Sequence, residues 1–284
     1  MMCVNTIYGG TNNSPQDPDV LIYNSDTFNI YNLVIDDVVQ ELRDDQGKLF
    51  DLRFRSGATF NCWRGYQAIY EIVEGKVFLH SVVECGAVTQ FLNGDATVFL
   101  DSLYGDIVEY QNGSWIKSAN TTIAIGNNNN LVRWDGVFDR VFESERIIRI
   151  KDGRVVESVD VVNYLDDPNR LDRKLKDNVH QILFERITSL DWVELIDFEC
   201  AEGDTYEITI DSRGRIKSIS FANYETNELD DYWDDKTYKK CLVQLKKAFK
   251  ELRFDEVYWH GQRFDDRIYL TLWYEDGKLE NWSD

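Results

Sequence analysis

Alternation of apolar and polar positions dominates the first half of the chain. Tyr66, Ala68, Tyr70 and Ile72 stand against Gln67, Ile69 and Glu71, the period of two that marks a strand. Glu74-Gly75 then offers a two-residue turn into Val77, Phe78 and Leu79, which predicts a hairpin. The same device recurs where Arg146 to Lys151 meets Asp152-Gly153 and then Arg154, Val155 and Val156. Thr97 to Tyr104, Asp106 to Tyr110 and Thr121 to Ile125 read as further strands. Asn112-Gly113 reads as a turn and Asn127 to Asn130 as a polar loop that tolerates left-handed backbone. Leu33 to Leu42 offers the one short helix. Hairpins in succession with so little helix predict a mainly antiparallel β domain over 28–166, a sandwich or a curled sheet. Residues 1–27, with turn residues and little to bury, read as a loosely ordered arm.

The period changes after Asp167-Pro168, a pair suited to opening a helix. Leu171, Leu175, Val179, Ile182, Leu183 and Ile187 fall on one amphipathic stripe. Tyr206 to Ile210 alternates as a strand, Asp211 to Gly214 turns, and Arg215 to Phe221 returns. Asp234 or Asp235 can cap a second helix whose buried stripe is Tyr238, Leu242, Leu245 and Phe249. Lys246, Lys247 and Lys250 sit in its last turns, where positive charge suits the helix dipole. Arg267 to Tyr274 closes the series with Ile268, Leu270, Leu272 and Tyr274 on one face. The order helix, strand, strand, helix, strand predicts an α+β domain over 167–284, a three-stranded antiparallel sheet with helices on one face.

That second half, with its helix from Leu171, its Tyr206 to Ile216 segment ending in Asp-Ser-Arg-Gly-Arg-Ile, and its helix running into Leu252, Arg253 and Phe254, resembles the carboxy-terminal domain of TonB-like proteins. The resemblance spans roughly 110 residues by sequence reading. It lacks the family's membrane anchor, Pro-rich spacer and tyrosine-proline pair, so it implies a fold and a habit of binding other proteins rather than energy transduction. The first half, through Cys62 to Ile72, Gly75 to Leu79, Val98 to Gly105 and Ile147 to Val155, resembles a family of bacterial proteins of unassigned activity. That resemblance transfers no catalytic residue. It implies the role of small acidic proteins that accompany secreted toxins as immunity proteins.

Charge sharpens this. The chain carries 31 Lys and Arg against 51 Asp and Glu, a formal net charge of −20. Both halves share it, with 13 basic against 24 acidic residues up to residue 166 and 18 against 27 beyond. Such a surface excludes generic binding of nucleic acid or anionic membrane, which needs clustered cations. No apolar run is long enough for a signal peptide near the start or for a membrane span anywhere, which predicts a cytoplasmic protein. The five cysteines, Cys3, Cys62, Cys85, Cys200 and Cys241, lie far apart without a C-x-x-C pair and read as free thiols in a reducing compartment.

The sequence carries no catalytic signature. There is no phosphate-cradling glycine motif and no nucleophile elbow. His80, His180 and His260 stand apart, and the acidic run Glu228 to Asp235 lacks the glycine and terminal glutamate of a calcium loop. No catalytic residue, metal or cofactor is therefore assigned. The candidate binding residues are Trp63, Arg64 and Tyr66, where Gly65 permits close backbone approach, with Trp233 and Trp259. The expected function is non-enzymatic: an acidic protein-binding module, of the immunity type, that occludes a basic toxin through aromatic anchors. One alternative is a carbohydrate-binding protein or hydrolase with aromatics and carboxylates in an interdomain cleft. Another is a scaffold without a ligand.

Overall fold

The computed structural model describes residues 15–35, 48–49, 52–53, 60–93, 107–110, 113–174, 176–189, 200–222 and 235–283. The chain divides into two compact units, Met1–Val161 and Val162–Asp284. Strand dominates the described residues.

The first unit holds β1 (Asp19–Tyr23), β2 (Asp26–Ile30), the short pair β3 (Lys48–Leu49) and β4 (Leu52–Arg53), β5 (Tyr66–Val73), β6 (Lys76–Glu84) and helix α1 (Val88–Leu92). It continues through β7 (Ile107–Tyr110), β8 (Gly113–Ile116), β9 (Thr121–Gly126), β10 (Leu131–Trp134), β11 (Arg140–Phe142), β12 (Ser144–Lys151) and β13 (Arg154–Val162). The main sheet runs β2-β1-β5-β6-β13-β12-β9, with β8 joined to β6 and β7 to β8. It curls. The N–H of Ala124 in β9 donates to Asn32 Oδ1, just beyond β2, at 2.8 Å, bringing the two ends of the path together. One core lies inside the curl, drawing Leu21, Tyr66, Tyr70, Leu79, Ile123 and Ile148 from six positions around it.

Two-residue turns with both central residues at positive φ close the hairpins: Glu74-Gly75 between β5 and β6, and Asp152-Gly153 between β12 and β13. Their twist matches that of the strands they join. Asn24-Ser25 makes the same turn without glycine, and this is what hides β1 and β2 in the sequence. Residues 19–27, read as part of a loose arm, are thus strand and turn. β1 pairs antiparallel with β2 on one side and parallel with β5 on the other, and both its faces are covered, Leu21 by the main core and Val20 by Ile69 and Val83. That parallel pair is also the departure from the antiparallel sheet expected. In β6 the register slips at His80, and the extra residue moves the buried positions from Val77 and Leu79 to Val82. The candidate strand Thr97 to Tyr104 and most of the candidate helix Leu33 to Leu42 lie outside the described residues, although Val34 and Ile35 are buried in the core.

The second unit holds β14 (Tyr164–Leu165), α2 (Lys176–Thr188), β15 (Glu202–Ile210), β16 (Ile216–Phe221), α3 (Asp235–Phe249), β17 (Glu256–Trp259), β18 (Gln262–Arg263), β19 (Asp266–Glu275) and β20 (Lys278–Asn281). Its antiparallel sheet has four strands, β16-β15-β19-β20, one more than expected. A separate small sheet joins β14, β17 and β18. Both helices cover one face: Val179, Leu183 and Ile187 of α2 and Leu242, Leu245 and Phe249 of α3 meet Tyr206, Ile208, Ile219, Ile268 and Leu270. The first helix starts later than its stripe. Leu171 instead forms a parallel bridge with Phe254, its N–H donating to Arg253 O at 2.8 Å while its own carbonyl accepts from Asp255 N at 3.0 Å.

The cysteines correct the sequence reading. Cys62 is bonded to Cys85 and Cys200 to Cys241, so four of the expected free thiols are disulfides; Cys3 lies outside the described residues. The reason is topological. Cys62 and Cys85 flank the open end of the β5–β6 hairpin, where Tyr66 faces Glu84. Cys200 precedes β15 and Cys241 lies on the buried side of α3, 41 residues away in sequence.

Candidate functional site

The stretch Trp63 to Tyr66 is a clasp. Arg64 Nη2 and Nη1 donate to Asp19 Oδ1 and Oδ2 at 2.5 and 3.0 Å, with both side chains nearly withdrawn from solvent. Asp19 Oδ1 also accepts from Ala68 N at 2.9 Å, so one carboxylate joins the start of β1 to β5. Trp63 N donates to Gln16 Oε1, and Gln67 Nε2 to Pro18 O, at 2.7 and 2.6 Å. Tyr66 is a core residue, with the Arg64 guanidinium 4.9 Å from its ring centroid. Burial and mutual pairing therefore take Arg64 and Tyr66 off the surface, contrary to the binding role expected of them. Trp63 is half-buried. A bidentate Arg–carboxylate pair satisfies most of what burial would otherwise leave unpaired, and losing either partner strands the other charge.

Trp259 is half-buried in the turn of β17 and β18, its ring edge-on to Phe264 at 5.5 Å and to His260 at 5.9 Å. Trp233 lies outside the described residues. The described candidates thus fall in both units, Trp63, Arg64 and Tyr66 in the first and Trp259 in the second. Among the histidines, His80 is the β6 bulge with Nδ1 3.5 Å from Glu71 Oε2, His180 is buried on α2, and His260 holds a turn at φ 49°. Among the described residues no group of three or more His, Cys, Asp or Glu is placed to hold a metal ion.

A polar cluster ties β14 to β17. The Tyr164 hydroxyl is 2.7 Å from Asp172 Oδ1 and in short contact with Asp255 Oδ2, and Asp255 Oδ1 accepts from Asp167 N at 3.0 Å. Burial, then the bonds to Asp172 and Asp255, pushes the phenol far above its ordinary range. Tyr164 is therefore a fixed donor at neutral pH, a tie rather than a base.

An open apolar feature among the described residues is β13. Of its two sides, one faces β12, and the other meets β6 only at its first residue, where Arg154 pairs with Lys76. From Val156 onward that second side has no strand neighbour among the described residues. Val156 is 61 % exposed, and Val159 and Val162 are exposed with it. Arg146 bonds Asp160 through Nε and Nη2 at 2.9 and 3.1 Å, and Arg149 pairs with Glu157. These links hold the strand extended without covering it. An apolar strand with a free hydrogen-bonding side is what proteins ordinarily blunt or pair. Sequence reading found this strand but not its exposure, because a run such as Val-Val-Glu-Ser-Val-Asp-Val-Val gives no sign that one side is left open. Comparison of the chain with family models, with curated proteins and with solved structures gives no match.

Proposed function

We propose that the protein is a non-enzymatic, acidic protein-binding module that docks a basic partner protein along the open side of β13. The observation that carries this reading is the exposed Val156 and Val159 on a strand whose second side, from Val156 onward, has no strand neighbour among the described residues. A partner strand added there gains main-chain hydrogen bonds and covers the valines. The net charge of −20 favours encounter with a basic partner and makes the encounter rate fall with salt. An immunity-type inhibitor of a basic toxin is the finer form of this reading. The succession α2, β15, β16, α3, β19 supports a TonB-like fold for the second unit, to which β17, β18 and β20 are additions. The two disulfides favour an oxidising compartment over the cytoplasm that the sequence suggested.

A photo-crosslinking residue at Val159 tests the docking edge in cells that make the protein. It should capture a basic protein, while the same residue at Val243, exposed on α3, should not. Replacing Val156 and Val159 by Lys should abolish capture with the circular dichroism spectrum unchanged. Equal capture from positions 159 and 243 would sink the reading.

A further inference from the structure

We propose that the second unit carries a binding groove for an extended acidic peptide, between strand β16 and the last turns of α3. The groove encloses about 500 Å3 and is lined by Arg215, Lys217, Ser218, Lys246, Lys250 and Arg253 among others. Five cations thus converge in a unit that is strongly acidic, with Asp211 the one acid in the lining. Their states differ. Arg215 is bound by Asp211, Nε and Nη2 each reaching Oδ2 at 3.0 and 2.9 Å, and Lys217 is held by Asp265 at 2.5 Å. Lys246 and Lys250 are exposed and have no carboxylate partner among the described residues. Arg253 donates to the carbonyls of Lys250 and Leu252 at 3.1 and 2.7 Å, which fixes its guanidinium without neutralising it. Three cations without a carboxylate partner among the described residues therefore line one wall.

The other wall explains why the occupant is a strand. β16 is the end strand of its sheet and pairs only with β15 among the described residues. Among the described residues its remaining side offers alternate main-chain N–H and C=O groups, and Lys217 and Ser218 of this strand are exposed and line the groove. A groove with a sheet edge on one side and a helix on the other is a geometry in which a peptide adds as a further strand while the helix contacts its side chains. Edge lysines also discourage indiscriminate pairing, because an apolar or basic strand cannot cover them. A strand with Asp or Glu at alternate positions meets both demands: its backbone completes the β16 ladder and its carboxylates reach Lys246, Lys250 and Arg253.

The probe is a fluorescein-labelled peptide alternating Glu and Val, long enough to span the six residues of β16, titrated into the full chain by anisotropy. It should bind, and Lys246→Glu with Lys250→Glu should weaken it about tenfold or more, as should raising salt from about 0.05 to about 0.5 M. Both lysines are exposed, so the fold should survive; an unchanged thermal midpoint verifies that. Methylating the peptide's alternate backbone nitrogens should abolish binding while keeping every charge. The idea is overturned if the methylated peptide binds as well, if the lysine variant binds as well, or if oligothymidylate of equal charge binds more tightly, which would make this an anion groove for nucleic acid. Val156 and Val159 lie on a different unit, so their replacement by Lys should leave this binding intact.

Discussion

Single residues show where backbone, rather than side chain, sets the structure. Gly75 and Gly153 occupy the same place in equivalent turns, at φ 72° and 67°. A Cβ on Gly75 meets nothing within 4 Å, whereas one on Gly153 would lie 2.3 Å from Ile116 O and 2.7 Å from Trp115 Nε1. Gly75→Ala should therefore cost only the left-handed penalty, about 1–2 kcal/mol. Gly153→Ala should add about 1–3 kcal/mol of overpacking. Equal losses in urea melts would refute that distinction. Asp211 shows the corresponding logic for charge. Burial draws its carboxyl upward, but N–H groups and the guanidinium of Arg215, with the N–H of Arg213, outweigh burial and hold it below the usual carboxylate range. A depressed carboxyl stabilises above its unfolded pKa and loses that stabilisation as pH falls through the folded one. Asp211→Asn should accordingly melt lower than the parent at pH 7, and the gap should close as pH falls below about 4. A gap that stays constant down to about pH 2.5 would count against this account.

At the scale of elements, the sequence is legible where a turn residue and an apolar period coincide. Glu74-Gly75 and Asp152-Gly153 announce their hairpins, and Leu242, Leu245 and Phe249 announce the buried stripe of α3. Leu245 is almost wholly buried among α2, the sheet and its own helix, so Leu245→Ala should destabilise the second unit by about 2–5 kcal/mol through the cavity left behind. Val243 lies on the opposite, solvent side of the same helix, and Val243→Ser should change stability by less than about 0.5 kcal/mol. Comparable midpoint shifts for the two variants would show that the stripe is misplaced. Elsewhere the local signal is missing. Asn24-Ser25 turns without glycine, and β20 reads Lys-Leu-Glu-Asn, too polar to suggest a strand although Asp276-Gly277 precedes it. Neither the parallel pairing of β1 with β5 nor the open side of β13 has any local signature, because a strand's pattern records what its faces bury and not which strand lies beside it. The burial of Arg64 and Tyr66 has a related reason. Trp63 to Tyr66 is informative as sequence, yet its information is spent on joining Asp19 to β5.

For the molecule as a whole, the disulfides belong to the units rather than between them: Cys62–Cys85 within the first and Cys200–Cys241 within the second. The first pair was within reach of sequence reasoning, since the turn at 74–75 brings residues before β5 opposite residues after β6. The second needed the tertiary fold. Each bond removes freedom from the unfolded chain of its own unit, and the 41-residue separation of the second corresponds to about 4 kcal/mol in the chain-entropy account. Four of the five cysteines are thus committed, so alkylation of the denatured, unreduced protein should label one cysteine, and five after reduction. Reduction should also lower stability in both units, with Cys200→Ala and Cys241→Ala together reproducing the loss in the second unit alone. Labelling of three or more cysteines before reduction would return the protein to free thiols. It would also remove the ground for an oxidising compartment, while leaving the open side of β13 and the cationic groove beside β16 untouched, since neither contains a cysteine.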